Sequence, residues 1–376
     1  MKKILFLIHD LAHGGAEKVL VNLVNNMDKT KFDITVQTLF DFGVHRDNLK
    51  PHIHYKTCFK YVIRGNSHLM KLFSPRFLYK HLIKDEYDII VSYLEGPPAR
   101  VVAGCKNSKA KKVCWLHIEM NDKKAIAKGF RSFKEAVKCY EQYDKLIAMS
   151  ETVKDAFTKT TGFESSRIDV LYNTNETEQI IEKSQEAVYD IEFEKDMLNV
   201  CSVAKITKTK GYDRLAKVHH RLIKEELKHH IYILGIGEQQ KEIQKYIEDR
   251  GLQDTFTFIG FRDNPYKYVA KCDLYVCSSH REGFSTAVTE ALVVGTPVIS
   301  TLCSGAHELL GYHNEYGMIV ENSTKGIYQG MKQVLNNPEM LVEMKKQAEK
   351  RGTFFSREKT VQAVEKMFKS FEDNEK

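Results

Sequence analysis

Short apolar runs alternate along the chain with segments whose apolar residues recur every three to four positions. Ile4–Ile8 is an unbroken run of strand length, and after it Val19, Leu20, Leu23, Val24 and Met27 share one face of a helix over Ala16–Met27. The same alternation predicts strands at Ile34–Leu39, Ile89–Ser92, Val113–Leu116, Leu146–Met149 and Ile168–Leu171. A second series opens with a strand at Leu198–Val203 and adds strands at Ile231–Leu234, Phe256–Phe258, Leu274–Cys277 and Val298–Ser300. Its helices fall over Tyr212–Leu222, Gln239–Asp249 and 286–294. Strands alternating with helices are the pattern of a parallel sheet covered on both faces. The expectation is therefore an α/β protein of two Rossmann-like domains, residues 1–175 and 190–354. The polar, acidic stretch 172–195 joins them and is expected to act as a hinge. Two tail helices follow between Pro338 and Phe371, and the C-terminal segment 355–376 is expected to pack back on the first domain.

Composition supports two folded domains. Of 376 residues, 42% are hydrophobic and 28% charged, enough for a large core without disulfides or metals. The net charge of +7 is unevenly placed: residues 1–175 hold 29 Lys and Arg against 19 Asp and Glu, and the remainder 28 against 31. A basic first half suggests an anionic surface as a partner. Residues 56–84 carry Lys56, Lys60, Arg64, Lys71, Arg76, Lys80 and Lys84 with no acid. Phe59, Tyr61, Phe73, Phe77 and Tyr79 are interleaved with them. A second stretch, Lys123–Lys134, contains Lys124, Lys128, Phe130, Arg131 and Phe133. Either this is a solvated basic face with its aromatics turned inward, or it is an interfacial surface that meets anionic lipid. No nucleic-acid recognition motif accompanies it, so no nucleic-acid partner is expected.

The apolar run in MKKILFLIHDL is too short for a signal peptide, and no stretch approaches the roughly 18 apolar residues of a membrane span. The expected location is the cytoplasm, peripheral on the inner face of the plasma membrane. Eight cysteines show no C-x-x-C and no zinc spacing, which reads as reduced, mostly buried thiols. No metal and no cofactor are expected.

Candidate chemistry concentrates where predicted strands run into loops. Residues 278–297, SSHREGFSTAVTEALVVGTP, pass from a strand through a loop into a helix capped near Ser285. The free amides of Phe284 to Ala287 make an anion site, and Gly283 permits close approach. Glu282 and Glu290 can accept hydrogen bonds from hydroxyls of a sugar or ribose. In isolation, both acids would read as solvated. Residues 203–213, VAKITKTKGYD, follow another strand, and Lys205 and Lys210 can hold a diphosphate without a metal. A solvated lysine loop fits that segment equally well. His13-Gly14-Gly15-Ala16-Glu17 sits between the first strand and first helix, where paired glycines admit a phosphate or sugar. Leu234-Gly235-Ile236-Gly237 is an incomplete dinucleotide fingerprint, since Gln240 stands at the third glycine. His117 ends a strand, a position where a lone His is more often structural. The pairs 219–220 and 229–230 read as polar helix ends. There is no H-E-x-x-H, G-x-S-x-G, Walker loop or D-x-D.

Taken together, these segments resemble the glycosyltransferase family 4 enzymes of the GT-B fold, in the style of bacterial surface-polysaccharide transferases. The resemblance spans nearly the whole chain. It rests on Glu282-x7-Glu290 within EGFSTAVTEALVVGTPVIST, together with Gly14-Gly15, His117, Lys210-Gly211, Ile233-Leu234-Gly235 and Phe258-Ile259-Gly260. It implies two domains facing across a crevice, a UDP- or GDP-sugar donor held by the second, and a glycan or lipid-linked acceptor on the first. By position, Glu290 would bind the ribose, Glu282 the donor sugar, and Lys210 and Lys205 the diphosphate. The amides of Ser285 and Thr286 would hold sugar or phosphate, with Gly283 and Phe284 in the same loop. His117 would touch the sugar near the reacting carbon. Gly14 and Gly15 would frame the phosphate, Gly235 would count among the donor-binding residues, and Gly260 and Phe261 would lie by the base. Catalytic roles would fall to Glu282, His117 and Lys210. The family usually has Arg where this chain has Lys205, which keeps the charge but loses the bidentate fork. The implied activity is retaining hexosyl transfer in capsule, exopolysaccharide or other envelope polysaccharide biosynthesis. The leaving phosphate would take the acceptor's proton. A nucleotide-sugar epimerase of the same fold would need a dedicated acid–base pair. A non-catalytic partner subunit should have lost Glu282, Lys210 or Glu290, all of which are present.

Overall fold

The computed structural model describes residues 1–12, 14–62 and 65–373. His13 and Arg64, both named above, lie outside the described residues.

The chain divides into two compact units. The first takes in Met1–Asn175 together with the C-terminal helix that begins at Arg357, and the second is Glu176–Ser356. The first sheet contains β1 (Lys2–Ile8), β2 (Phe32–Phe40), β3 (His54–Phe59), β4 (Ile89–Ser92), β5 (Lys111–Leu116), β6 (Lys145–Ala148) and β7 (Ile168–Val170). All seven are parallel, in the order β3-β2-β1-β4-β5-β6-β7. The second has β8 (Leu198–Val203), β9 (His229–Leu234), β10 (Phe256–Gly260), β11 (Leu274–Cys277), β12 (Val298–Thr301) and β13 (Met318–Val320). These six are also parallel, in the order β10-β9-β8-β11-β12-β13. Central strands of a parallel sheet are buried on both faces, so they read as continuous apolar runs. Ile4 to Ile8 are fully buried, as are Ile90, Val91, Val276 and Ile299.

Three features depart from the sequence expectation. β3 and β13 were not foreseen: β3 is a largely exposed edge strand, and β13 is three residues long. The stretch 172–195 is not an extended linker. Thr177–Ser184 is a helix that buries Ile180 and belongs to the second unit, where it lies against helices Tyr266–Val269 and Thr286–Val293. Farther along that stretch, Asp190 accepts from Arg262 at 2.9 Å and from the Tyr268 hydroxyl at 2.8 Å, which ties it to the same unit.

The helix Arg357–Asp373 completes the core of the first unit. Phe368 sits 6.1 Å from the Phe6 ring, 6.3 Å from Phe32 and 6.3 Å from Trp115. Glu365 accepts from the Asp28 amide at 2.7 Å. Among the described residues, no helix is long and apolar enough to cross a membrane. All eight cysteines are free thiols, six of them buried.

Candidate active site

Strand order turns around between β8 and β11, so crossovers leave these neighbours in opposite directions and open a space beyond their carboxyl ends. The loops that leave the two strands are stitched together there. The Ser278 hydroxyl donates to the Lys210 carbonyl at 2.9 Å, and the His280 amide to the Thr209 carbonyl at 2.7 Å. Gly211 makes this approach possible. Its φ is +67°, and a Cβ there would lie 2.2 Å from the Ser278 carbonyl oxygen.

The stitching brings Lys210 and Glu282 together. Lys210 Nζ donates to both Glu282 carboxylate oxygens, at 2.7 and 2.9 Å, and the Ser279 hydroxyl donates to Oε1. The lysine side chain keeps 27% of its surface and the glutamate 13%, so the pair is screened but reachable. The sequence reading gave these residues separate partners in a donor. In the structure, each is the other's partner. Lys205 is exposed, and its side chain makes no hydrogen bond or ion pair among the described residues.

Two residues that sequence reasoning missed hold the loop. The buried Arg214 donates from Nε to the Ser278 carbonyl at 2.7 Å, and from Nη2 to the Ser279 carbonyl at 2.6 Å and Asn322 Oδ1 at 2.8 Å. Burial lowers its pKa from the ordinary arginine value. Asn322 Nδ2 in turn donates to the His280 carbonyl at 2.9 Å. An arginine in an amphipathic helix reads as surface charge, so neither residue announced itself.

Beyond Glu282, the chain enters the helix Thr286–Val293. Ser285 caps it, its hydroxyl accepting from the Val288 amide at 3.4 Å. The Thr286 and Ala287 amides point out of the first turn, as in any helix start. Phe284 is buried with its ring 6.2 Å from Phe355, so its side chain is a packing element. Glu290 is buried on the same helix, and the Tyr266 hydroxyl donates to its Oε1 at 3.4 Å.

Gly235 has a different explanation from the one its motif suggested. At φ +138°, a Cβ would lie 2.0 Å from the Ala204 carbonyl oxygen, and one on Gly237 would lie 2.3 Å from that of Ile206. Both glycines let the β9 loop cross the β8 loop. Gly260 has φ +83° and is followed by the half-exposed Phe261.

In the first unit, the order turns between β1 and β4. Gly14 caps the helix Gly15–Asn26 just beyond β1, and a Cβ on it would strike the Glu17 carboxylate. His117 leaves β5 with its amide donating to Glu95 Oε2 at 3.0 Å, while its ring lies 4.9 Å from Tyr93. Burial pushes its pKa down to about 4, against the opposing effect of a hydrogen bond to the Tyr93 backbone. Its buried Nε2 has no hydrogen-bond partner among the described residues. With the ring neutral and that nitrogen as acceptor, it can take a hydrogen bond from a hydroxyl.

The paired histidines are not polar helix ends. His219, His229 and His230 are buried, and His219 Nδ1 lies 2.9 Å from His229 Nε2. Burial drives their pKa values down to about 2, 4 and 4.

Two family models match the chain, Glycosyltransferase Family 4 over residues 13–179 and Glycosyl transferases group 1 over residues 184–351. The chain belongs to glycosyltransferase family 4. Its two Rossmann-like units are those of the family's GT-B fold. Over 96% of its length it is 26% identical to a Campylobacter jejuni enzyme and spans 97% of that protein. The enzyme is an N-acetylgalactosamine-N,N'-diacetylbacillosaminyl-diphospho-undecaprenol 4-alpha-N-acetylgalactosaminyltransferase. The solved structure of Anabaena HepE in complex with UDP superposes with a TM-score of 0.76 at 19% identity, covering 98% of this chain and all of that one. A glycosyltransferase from Rickettsia africae gives 0.77 at 15% identity, covering 98% of each chain. At these identities the likeness is one of fold.

Proposed function

We propose that this glycosyltransferase is a retaining hexosyltransferase that uses a nucleoside-diphosphate sugar and a lipid-linked glycan acceptor in the synthesis of a bacterial envelope polysaccharide. The observation that carries the reading is the Lys210–Glu282 pair, fixed at the β8–β11 switch beside the helix start at Ser285. Cations and helix-start amides are suited to a diphosphate leaving group, whose developing charge they stabilise. When a donor enters, Lys210 can turn toward the phosphates and leave Glu282 to accept hydroxyl hydrogen bonds from the sugar. Lys205, exposed and uncommitted, supplies a second cation.

The amides of Ser285 and Thr286, in the loop opened by Gly283, would contact the donor, and Glu290 would accept from the ribose hydroxyls. Gly260 and Phe261 would border the base. Gly14 and Gly15 would leave room for phosphate, and neutral His117 would accept a substrate hydroxyl. Gly235 and Phe284 serve the site through packing. In the retaining route, the new bond forms on the face from which the phosphate departs, and that phosphate takes the acceptor proton. The UDP complexes of Anabaena HepE support a UDP-sugar, and the diphospho-undecaprenol substrate named for the Campylobacter relative supports a lipid-linked acceptor.

The test is a panel of UDP- and GDP-sugars offered without acceptor. Slow release of one nucleoside diphosphate names the donor, and release from none of them removes the reading. Anomeric analysis of the product formed with an acceptor then decides between retention and inversion. Since Lys210, Lys205 and backbone amides are assigned the phosphate, turnover should persist in EDTA. Loss of activity restored by manganese would overturn that assignment.

A further inference from the structure

One surface of the first unit is built against the usual rules of burial. Leu69 is 48% exposed, Leu72 72%, Phe73 45% and Phe77 43%, within nine residues of each other. Leu69 and Leu72 are three apart at the end of the helix Asn66–Lys71, and so share a face. Phe73 stacks on Phe77 at 5.0 Å, and Phe77 on His81 at 3.9 Å, along the next helix, Pro75–Leu82. The inward side of that helix is ordinary, with Leu78 buried and Tyr79 and Leu82 packed on the core. The ridge is therefore the outer face of a segment whose inner face is already satisfied.

The ridge is also held rigidly. Two guanidinium groups bind the carbonyls at the end of the helix Asn66–Lys71. Arg100, 1% exposed, donates from Nη1 to the Met70 carbonyl at 2.8 Å and from Nη2 to that of Phe73 at 2.7 Å. Arg131 donates to the Lys71 carbonyl and, at 2.8 Å, to that of Leu72. Glu135 joins the two, accepting from Arg100 Nη2 at 2.9 Å and from the Arg131 amide at 2.6 Å. A solvated loop has no use for a buried arginine and a shared carboxylate at its turn. Four consecutive carbonyls fixed this way hold Leu72 and Phe73 outward against their tendency to collapse onto the core.

Within the segment that carries the ridge, the charges have one sign; the nearby Glu135 is taken up by the two arginines of the clamp. Residues 56–84 contain no Asp or Glu, and Arg76 and Lys80 stand exposed beside Phe77, with Lys71 half-exposed beside Leu72. Apolar side chains ringed by cations fit a bilayer interface with anionic headgroups, where the rings and leucines enter the acyl boundary and the cations meet phosphates. We infer that the ridge Leu69–Phe77 is a membrane-docking surface for anionic lipid, clamped in its outward position by Arg100, Arg131 and Glu135. This deepens the lipid-linked acceptor reading, since docking would hold the first unit at the leaflet that carries such an acceptor.

The measurement is sedimentation with large unilamellar vesicles in the absence of any sugar substrate, so donor turnover remains an independent readout. At low salt, the protein should pellet with vesicles of phosphatidylcholine and phosphatidylglycerol and far less with phosphatidylcholine alone. Leu72→Glu with Phe77→Glu, both at exposed positions, should weaken binding at least tenfold while donor hydrolysis in solution is unchanged. Reversing Lys71, Arg76 and Lys80 to Glu should also weaken it at least tenfold and remove its salt dependence. Absent binding, equal binding to both vesicles, or unaltered binding by the Leu72/Phe77 variant would overturn the inference. Normal donor turnover in any of these cases would leave the transferase reading standing.

Discussion

A lysine and a glutamate 72 positions apart in sequence share one hydrogen-bonded pair, and each would be exposed to the loss of the other. Lys210→Ala would strand a carboxylate that keeps 13% of its surface, and Glu282→Ala would free the lysine to hold phosphate with nothing to orient it. Losing a charge-assisted contact made in the transition state costs roughly 2–4 kcal/mol, or about 30- to 1000-fold in rate. Each variant should lose that much turnover at saturating donor while keeping its fold by circular dichroism. Lys205→Ala, at an exposed position without a partner, should mainly raise KM. Both members of the pair were legible as motif residues. Their pairing was not, because nothing in a local pattern reports which two loops meet. Arg214 and Asn322 are invisible for the same reason, since apart from each other they bind mainly backbone carbonyls, which have no sequence signature. Asn322→Ala should lower kcat more than it raises KM, since it loosens the loop that carries Glu282 without touching its charge. An unchanged kcat would show that the clamp serves stability alone.

Among the elements, the strands buried on both faces were read within a residue or two, because their environment writes itself as an apolar run. The short edges β3 and β13 were not, since an edge needs few apolar residues. The helix Thr177–Ser184 reads as linker in the sequence because its exposed side is acidic, though Ile180 anchors it. Gly211 is legible in sequence only as part of the Lys210-Gly211 pair, and its reason lies in the Ser278 carbonyl, 2.2 Å from where a Cβ would stand. Gly211→Ala should cost about 1–2 kcal/mol for the left-handed backbone alone, and should reduce turnover further by parting the two loops. Thermal denaturation and donor hydrolysis measured side by side would separate the two effects.

The histidines of β9 and the helix Tyr212–Lys224 make a different prediction. Their pKa values are depressed from 6.5 to about 2, 4 and 4, so the unfolded chain binds protons that the folded one refuses. Stability is complete above 6.5 and is lost as pH falls toward 4. Three such groups should lower the unfolding free energy by on the order of 3 kcal/mol between pH 6.5 and 5.5. Urea denaturation at the two pH values would check it, and a flat profile would mean that the ring network admits a proton.

At the scale of the whole molecule, two units with separate cores should unfold as two transitions. Phe368 is buried among Phe6, Phe32 and Trp115, so Phe368→Ala should cost about 3–5 kcal/mol and lower only the transition of the first unit. Calorimetry that showed both transitions shifting equally would instead make the two cores one cooperative system. The return of Arg357–Asp373 to the first unit also sets an order of events at the ribosome. The first 175 residues emerge early, yet the helix that covers Phe6 and Trp115 follows the entire second unit. During that interval a nascent chain carries an unfinished hydrophobic face while its later half is still being made. Chaperone dependence during translation, and rescue of a tail-deleted chain by supplying the missing helix as a separate peptide, are the biological consequences of closing a domain with its most distant segment.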